Sequence, residues 1–192
     1  MENSPNPSKT TQCPCCHSSA SRRDFLKSFL PGAFALTILQ SAASAKAATV
    51  KPQALVLSCI DFRFFTAERL FLSKKHLWGE YDWTALAGAS LAISGFPHPS
   101  DAEAFWDQLD LSYRLHQIKK VIVIDHQDCG AYASMIDPNL SKDPQRELEV
   151  HTDYLNRAFD LISDRYSNLE VELYFATLNK AEFQPVLRKI PS

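Results

Sequence analysis

The chain has 192 residues, 45% of them hydrophobic, with 20 Lys and Arg against 22 Asp and Glu and a formal net charge of −2. Five of the basic and two of the acidic residues fall before position 48, so the remainder is more acidic and offers no basic face to nucleic acid or an anionic membrane. Of five cysteines only Cys59 and Cys129 lie beyond position 47, which excludes a disulfide-dense secreted scaffold.

Ser21-Arg22-Arg23-Asp24-Phe25-Leu26-Lys27 reads as a twin-arginine export signature. The apolar run after it, about Phe29 to Leu39, holds Pro31 and Gly32 and falls short of the roughly 20 residues a membrane-spanning helix needs. Small residues follow, and cleavage after Ala45 or Ala47 fits the A-x-A pattern. Residues 1–47 are therefore expected to be a signal peptide, and 48–192 a single domain delivered by the twin-arginine machinery to a periplasm or equivalent lumen. That route carries folded proteins, so metal can load before export. Cys13-Pro14-Cys15-Cys16-His17 stands in a Ser-, Pro- and Thr-rich segment that leaves with the leader.

In the mature part, residues 53–58 predict a buried strand, and Thr66 to Lys75 a short helix burying Leu70 and Phe71. Tyr81 to Ala87 predicts a second strand ending at Gly88-Ala89-Ser90. After the turn Gly95 to Pro99, Ser100-Asp101-Ala102-Glu103 has the form of a capping box. Ala102, Phe105, Trp106, Leu109 and Tyr113 then describe one apolar helix face. A strand at 121–125 and a helix from Gly130 to Ile136 follow. Leu148, Thr152, Leu155, Phe159 and Ile162 give an amphipathic helix, and Val171 to Ala176 alternates like an edge strand. Strands alternating with helices imply an α/β fold, a mainly parallel sheet with helices on both faces.

Two clusters carry the chemistry: Cys59-Ile60-Asp61-Phe62-Arg63 after the first strand and His126-Gln127-Asp128-Cys129-Gly130 after the third. Strand ends of this kind are where open α/β sheets place their sites. Two thiolates and an imidazole suit zinc, Zn²⁺, and three protein ligands leave a fourth position for water or substrate. Arg63 can clamp Asp61 through paired hydrogen bonds and keep it ionised. Asp61 then either caps the metal or stays on Arg63 and orients water whose pKa the metal has lowered. A Cys59–Cys129 disulfide, in a thiol–disulfide protein, is the competing use of the two sulfurs. Asp125 and Asp128 are candidate acceptors for the His126 ring, Asp128 equally a helix N-cap. His76, His98, His116 and His151 read as solvated, and Trp78 and Trp83 as core or subunit interface.

Cys-x-Asp-x-Arg after one strand and His-x-x-Cys-Gly after a later one resemble the β-class carbonic anhydrases, over roughly residues 53 to 135. The resemblance implies Cys59, His126 and Cys129 as zinc ligands, Asp61 and Arg63 as the catalytic dyad, and a homodimer or higher homo-oligomer. It also implies interconversion of carbon dioxide and bicarbonate. Ile60 and Phe62 stand where the family has serines, Ala85-Leu86-Ala87-Gly88 where it has Arg-Asn-Ala-Gly, and Asp125 where a glycine is common. The pocket mouth is thus expected to be apolar and narrow, which suits carbon dioxide and equally carbonyl sulfide or carbon disulfide. A catalytically silent zinc-binding relative, its metal capped by Asp61 or its entrance blocked by Phe62, is the remaining alternative.

Overall fold

The computed structural model describes residues 51–94, 98–179 and 182–188. The export segment and its cysteines, and Gly95 to Pro97 of the expected turn, lie outside the described residues.

Unbroken apolar runs become inner strands because both their faces must be covered. β1 (Ala54–Ser58) is buried throughout and β3 (Lys120–His126) from Val121 onward. β1 pairs in parallel with β2 (Tyr81–Ala85) on one side and β3 on the other. β4 (Glu170–Ala176) extends the sheet in parallel and β5 (Phe183–Pro185) ends it antiparallel, giving the order β2-β1-β3-β4-β5. The helices are α1 (Phe65–Lys74), α2 (Ser90–Ile93), α3 (Pro99–Leu111), α4 (Gly130–Met135) and α5 (Pro144–Arg165). Strand alternation sends Leu55, Leu57, Val121 and Val123 to a core with Phe105 and Leu109 of α3 and Leu155 and Ile162 of α5. Ala54, Val56, Ile122 and Ile124 point the other way, onto Phe64 and Leu72 beside and within α1. Helices cover both faces, as expected. Among the described residues no helix is long and apolar enough to cross a membrane.

The connectivity decides where a site can form. From β1 the chain goes outward to β2, then returns past β1 to β3, so the connections leave β1 and β3 in opposite directions. That reversal opens a crevice at the carboxyl ends of these strands.

Several local expectations are corrected. α1 buries Glu68 and Leu72, whereas Leu70 is 58% exposed and Phe71 half-buried; Phe64, Glu68 and Leu72 recur every four residues and set the inward stripe. α3 begins at Pro99 with His98 as N-cap and no side-chain cap bond, so the capping box does not form; proline lacks the N–H that a first helical turn leaves unpaired. β4 is an inner strand, because the three-residue β5, ending in Pro185, takes the edge. α5 buries Glu147, His151, Leu155, Ala158 and Ile162. His151 is therefore a core residue, not a solvated one. Trp83 packs half-buried on the α1 side, whereas Trp78 is 62% exposed and outside the core.

Candidate metal centre

β1 delivers Cys59 one residue past its end, and β3 runs one residue further than expected, making His126 its last member. Gln127 and Asp128 turn the chain back, Asp128 in the left-handed region at φ 56°, and Cys129 sits at the N-cap of α4. Asp128 N–H donates to Glu147 Oε1 of α5 at 2.7 Å, which fixes that turn. From separate segments, Cys59 Sγ, Cys129 Sγ and a His126 ring nitrogen come within 4.8 Å of one another, all three residues buried.

The donor set fits zinc on two counts. The sulfurs are 3.9 Å apart, near the ~3.8 Å that two thiolates span on a tetrahedron with ~2.3 Å bonds. His126 Nδ1 lies 2.8 Å from the Gln127 carbonyl, so it carries the proton and leaves the Nε2 lone pair free. Among the described residues, Nε2 is buried with no hydrogen-bond partner. Both cysteines are free thiols. A hydrogen bond from Cys129 and the nearby His126 bring the Cys59 thiol down to about 4 despite burial, while the Cys59 thiolate and burial push Cys129 up.

Gly88, just after β2, reaches Cys59 Sγ with its N–H at 3.4 Å. Its φ is +79°, and a Cβ there would meet the Cβ atoms of Ala131 and Leu91 at 3.1 Å. Gly88→Ala is expected to cost ~1–3 kcal/mol through backbone strain and crowding beside a ligand. Urea unfolding reads this directly, and an unmoved midpoint would contradict it.

Arg63 binds Asp61 through Nε at 3.0 Å and Nη2 at 2.6 Å, and its backbone N–H adds a bond to Oδ1 at 3.0 Å. It also grips Asp128, from Nη1 to Oδ2 and from Nη2 to the carbonyl, each at 2.8 Å. The expected dyad is thus a three-member clamp that ties the Cys59 loop to the Cys129 turn. Arg63 hydrogen bonds hold both the Asp61 and the Asp128 carboxyl below their usual range. Asp61 Oδ2 stands 3.9 Å from His126 Nε2, beside the donor group and already engaged by Arg63.

Neither proposed outer partner of His126 has that part. Asp128 serves Arg63, and Cys129 rather than Asp128 is the N-cap. Asp125 points to the opposite side of β3, where it accepts from Ser90, Tyr132 and His151. The histidine is oriented by a main-chain carbonyl and by the Phe64 ring, centroids 4.5 Å apart.

A cavity of about 430 Å³ opens beside Cys59, lined by Cys59, Ile60, Asp61, Phe62, Phe65, Glu68, Trp83 and Ala85. Its mouth is apolar as expected: Ile60 is 64% and Phe62 86% exposed, and Phe65 stacks on Trp83 at 5.2 Å. Sequence reasoning missed Glu68. The signal was available in the four-residue spacing of Phe64, Glu68 and Leu72, which puts a carboxyl on a buried stripe.

A family model described as "Putative carbonic anhydrase" matches residues 49–186. An uncharacterized protein of Rickettsia bellii is 30% identical over 125 residues, covering 65% of this chain and 76% of its own. A β-carbonic anhydrase of Aspergillus fumigatus superposes with a TM-score of 0.53 at 16% identity, covering 73% of this chain and 78% of the other. One of two tetrameric β-carbonic anhydrases of Sordaria macrospora does so with 0.52 at 12% identity, covering 71% and 81%. At these identities the structural likeness is one of fold.

Proposed function

The chain belongs to that carbonic anhydrase family, as a divergent β-carbonic-anhydrase-like member, and from this premise we propose that it hydrates carbon dioxide to bicarbonate at a zinc ion held by Cys59, His126 and Cys129. The observation that carries the reading is the buried His126 Nε2, without a hydrogen-bond partner among the described residues, grouped with two free thiols within 4.8 Å. When bound, zinc supplies a Lewis acid able to acidify water near neutral pH. The protein's contribution is positional. Arg63 holds both Asp61 oxygens, which favours Asp61 as a fixed acceptor for the reacting water over Asp61 as a cap on the metal. Asp128 anchors Arg63 from the other side, and the apolar walls admit an uncharged substrate while limiting bulk water.

Asp61→Asn keeps the shape and removes the charge, so carbon dioxide hydration between pH 7 and 9 is expected to fall ~100-fold or more with zinc content retained. Unchanged turnover would remove Asp61 from the mechanism. The same apolar walls favour carbonyl sulfide or carbon disulfide as a second substrate class, and a parallel carbonyl sulfide assay distinguishes them. Failure of both assays on zinc-loaded protein would leave the silent-relative reading. The Ser21 to Lys27 signature supports twin-arginine export to a periplasm, with 1–47 as leader and 48–192 as mature domain. Exposed Ile60 and Phe62, with the tetrameric state of the Sordaria macrospora proteins, support a homo-oligomer.

A further inference from the structure

We propose that Glu68 is a specificity-determining residue of this cavity: with Asp61 it makes the chamber acidic, so that uncharged linear substrates enter while anionic ligands are held off the metal. The inference rests on the zinc reading and adds a residue to it. Glu68 sits in the first turn of α1, and its side chain turns inward between Phe64 and Leu72 to reach the chamber. Only 2% of Glu68 is exposed, yet it lines the cavity with Cys59, Asp61, Phe65 and Trp83.

Its position is fixed from outside the reaction. Trp83 Nε1–H donates to Ser58 Oγ at 2.9 Å, and the Ser58 hydroxyl, which donates to the Cys59 carbonyl at 3.4 Å, also lies close enough to Glu68 to favour its charged form. The indole that forms one wall and the carboxyl that forms another thus both lie beside one hydroxyl at the end of β1. The neighbouring cations are committed elsewhere. Arg63 is engaged by Asp61 and Asp128, and the Arg69 guanidinium lies over the Phe65 and Trp78 rings. Burial raises Glu68 to about 7, so above pH 8 it adds a negative charge to that of Asp61 in a chamber otherwise walled by Ile60, Phe62, Phe65, Trp83 and Ala85. An anion approaching the metal through this chamber meets two carboxylates at low effective dielectric.

The test uses the full chain loaded with cobalt(II), whose thiolate charge-transfer and visible bands report both occupancy and ligand exchange. Thiocyanate is titrated at pH 8.5 into the unaltered protein and into Glu68→Gln, which keeps the shape and removes the charge. Thiocyanate is expected to bind about tenfold more tightly to Glu68→Gln. Equal affinity in the two cobalt-loaded proteins overturns the inference and leaves the metal reading standing. Absence of the cobalt bands from the unaltered protein overturns both. Should Glu68→Gln not fold, as judged by circular dichroism, Glu68→Met fills the same space without charge and must show the same gain in affinity.

Discussion

Cys129→Ser is expected to strip the protein of zinc and take carbon dioxide hydration down to background. Serine nearly matches cysteine in shape, so the buried turn before α4 survives, but a hydroxyl does not ionise near neutral pH and cannot replace a thiolate. Loss of an outer hydrogen-bond partner alone costs about 10- to 100-fold in metal affinity, and removal of a direct ligand must exceed that. The thiols also make the affinity depend on pH. Without metal, Cys59 is ionised because Cys129 donates to it and His126 stands beside it, while Cys129 keeps its proton because it faces that thiolate in a buried site. Zinc capture must expel the Cys129 proton, so apparent affinity rises with pH, by about tenfold per unit for each proton released. Calorimetry of zinc binding to the unaltered chain in two buffers of different ionisation enthalpy is expected to count at least one proton released, and a count of zero would contradict this protonation of the pair. Full zinc occupancy of Cys129→Ser at nanomolar free metal would overturn the ligand assignment.

The parts of this architecture legible in the sequence are those where one physical demand dominates. Ala54 to Leu57 and Val121 to Ile124 must be inner strands, since no other arrangement covers an unbroken apolar run of that length. The two motifs follow them immediately, and the sheet order brings those strand ends together. What stayed hidden depends on partners distant in sequence. His151 reads as solvated, yet it lies with Glu147 on the same inward stripe as Leu155 and Ile162 because Asp125 and the Asp128 N–H await them. Phe183-Gln184-Pro185 has no strand pattern; it pairs because β4 offers a free edge. Asp128 looked like a neighbour of His126, but its left-handed backbone turns the carboxylate toward Arg63, more than sixty residues earlier in the chain.

Asp125 is a buried acidic residue immediately before the second cluster, directly beside a proposed ligand, and its removal should give the largest loss of stability. Oδ1 accepts the Ser90 N–H at 3.1 Å. Oδ2 accepts the Ser90 hydroxyl at 2.6 Å and the Tyr132 hydroxyl at 2.9 Å, and faces His151 Nδ1 at 2.8 Å. One carboxylate thus joins β3 to α2, α4 and α5, and all four residues are buried. Asp125→Ala strands these donors where water cannot replace the acceptor, at a cost of about 3–5 kcal/mol, a large share of the ~5–15 kcal/mol that holds a domain folded. With a urea dependence of ~2 kcal/mol per M, the unfolding midpoint is expected to fall by about 2 M. Packing alone predicts otherwise, because the small residue common at this position in the resembled family would leave little strain. The double variant Asp125→Ala with His151→Leu separates the two views: removing a stranded partner restores part of the lost stability if the network is what matters. A single-variant midpoint within 0.5 M of the unaltered protein would mean that the four side chains find other partners, and that Asp125 does not hold the helices to the metal edge of the sheet.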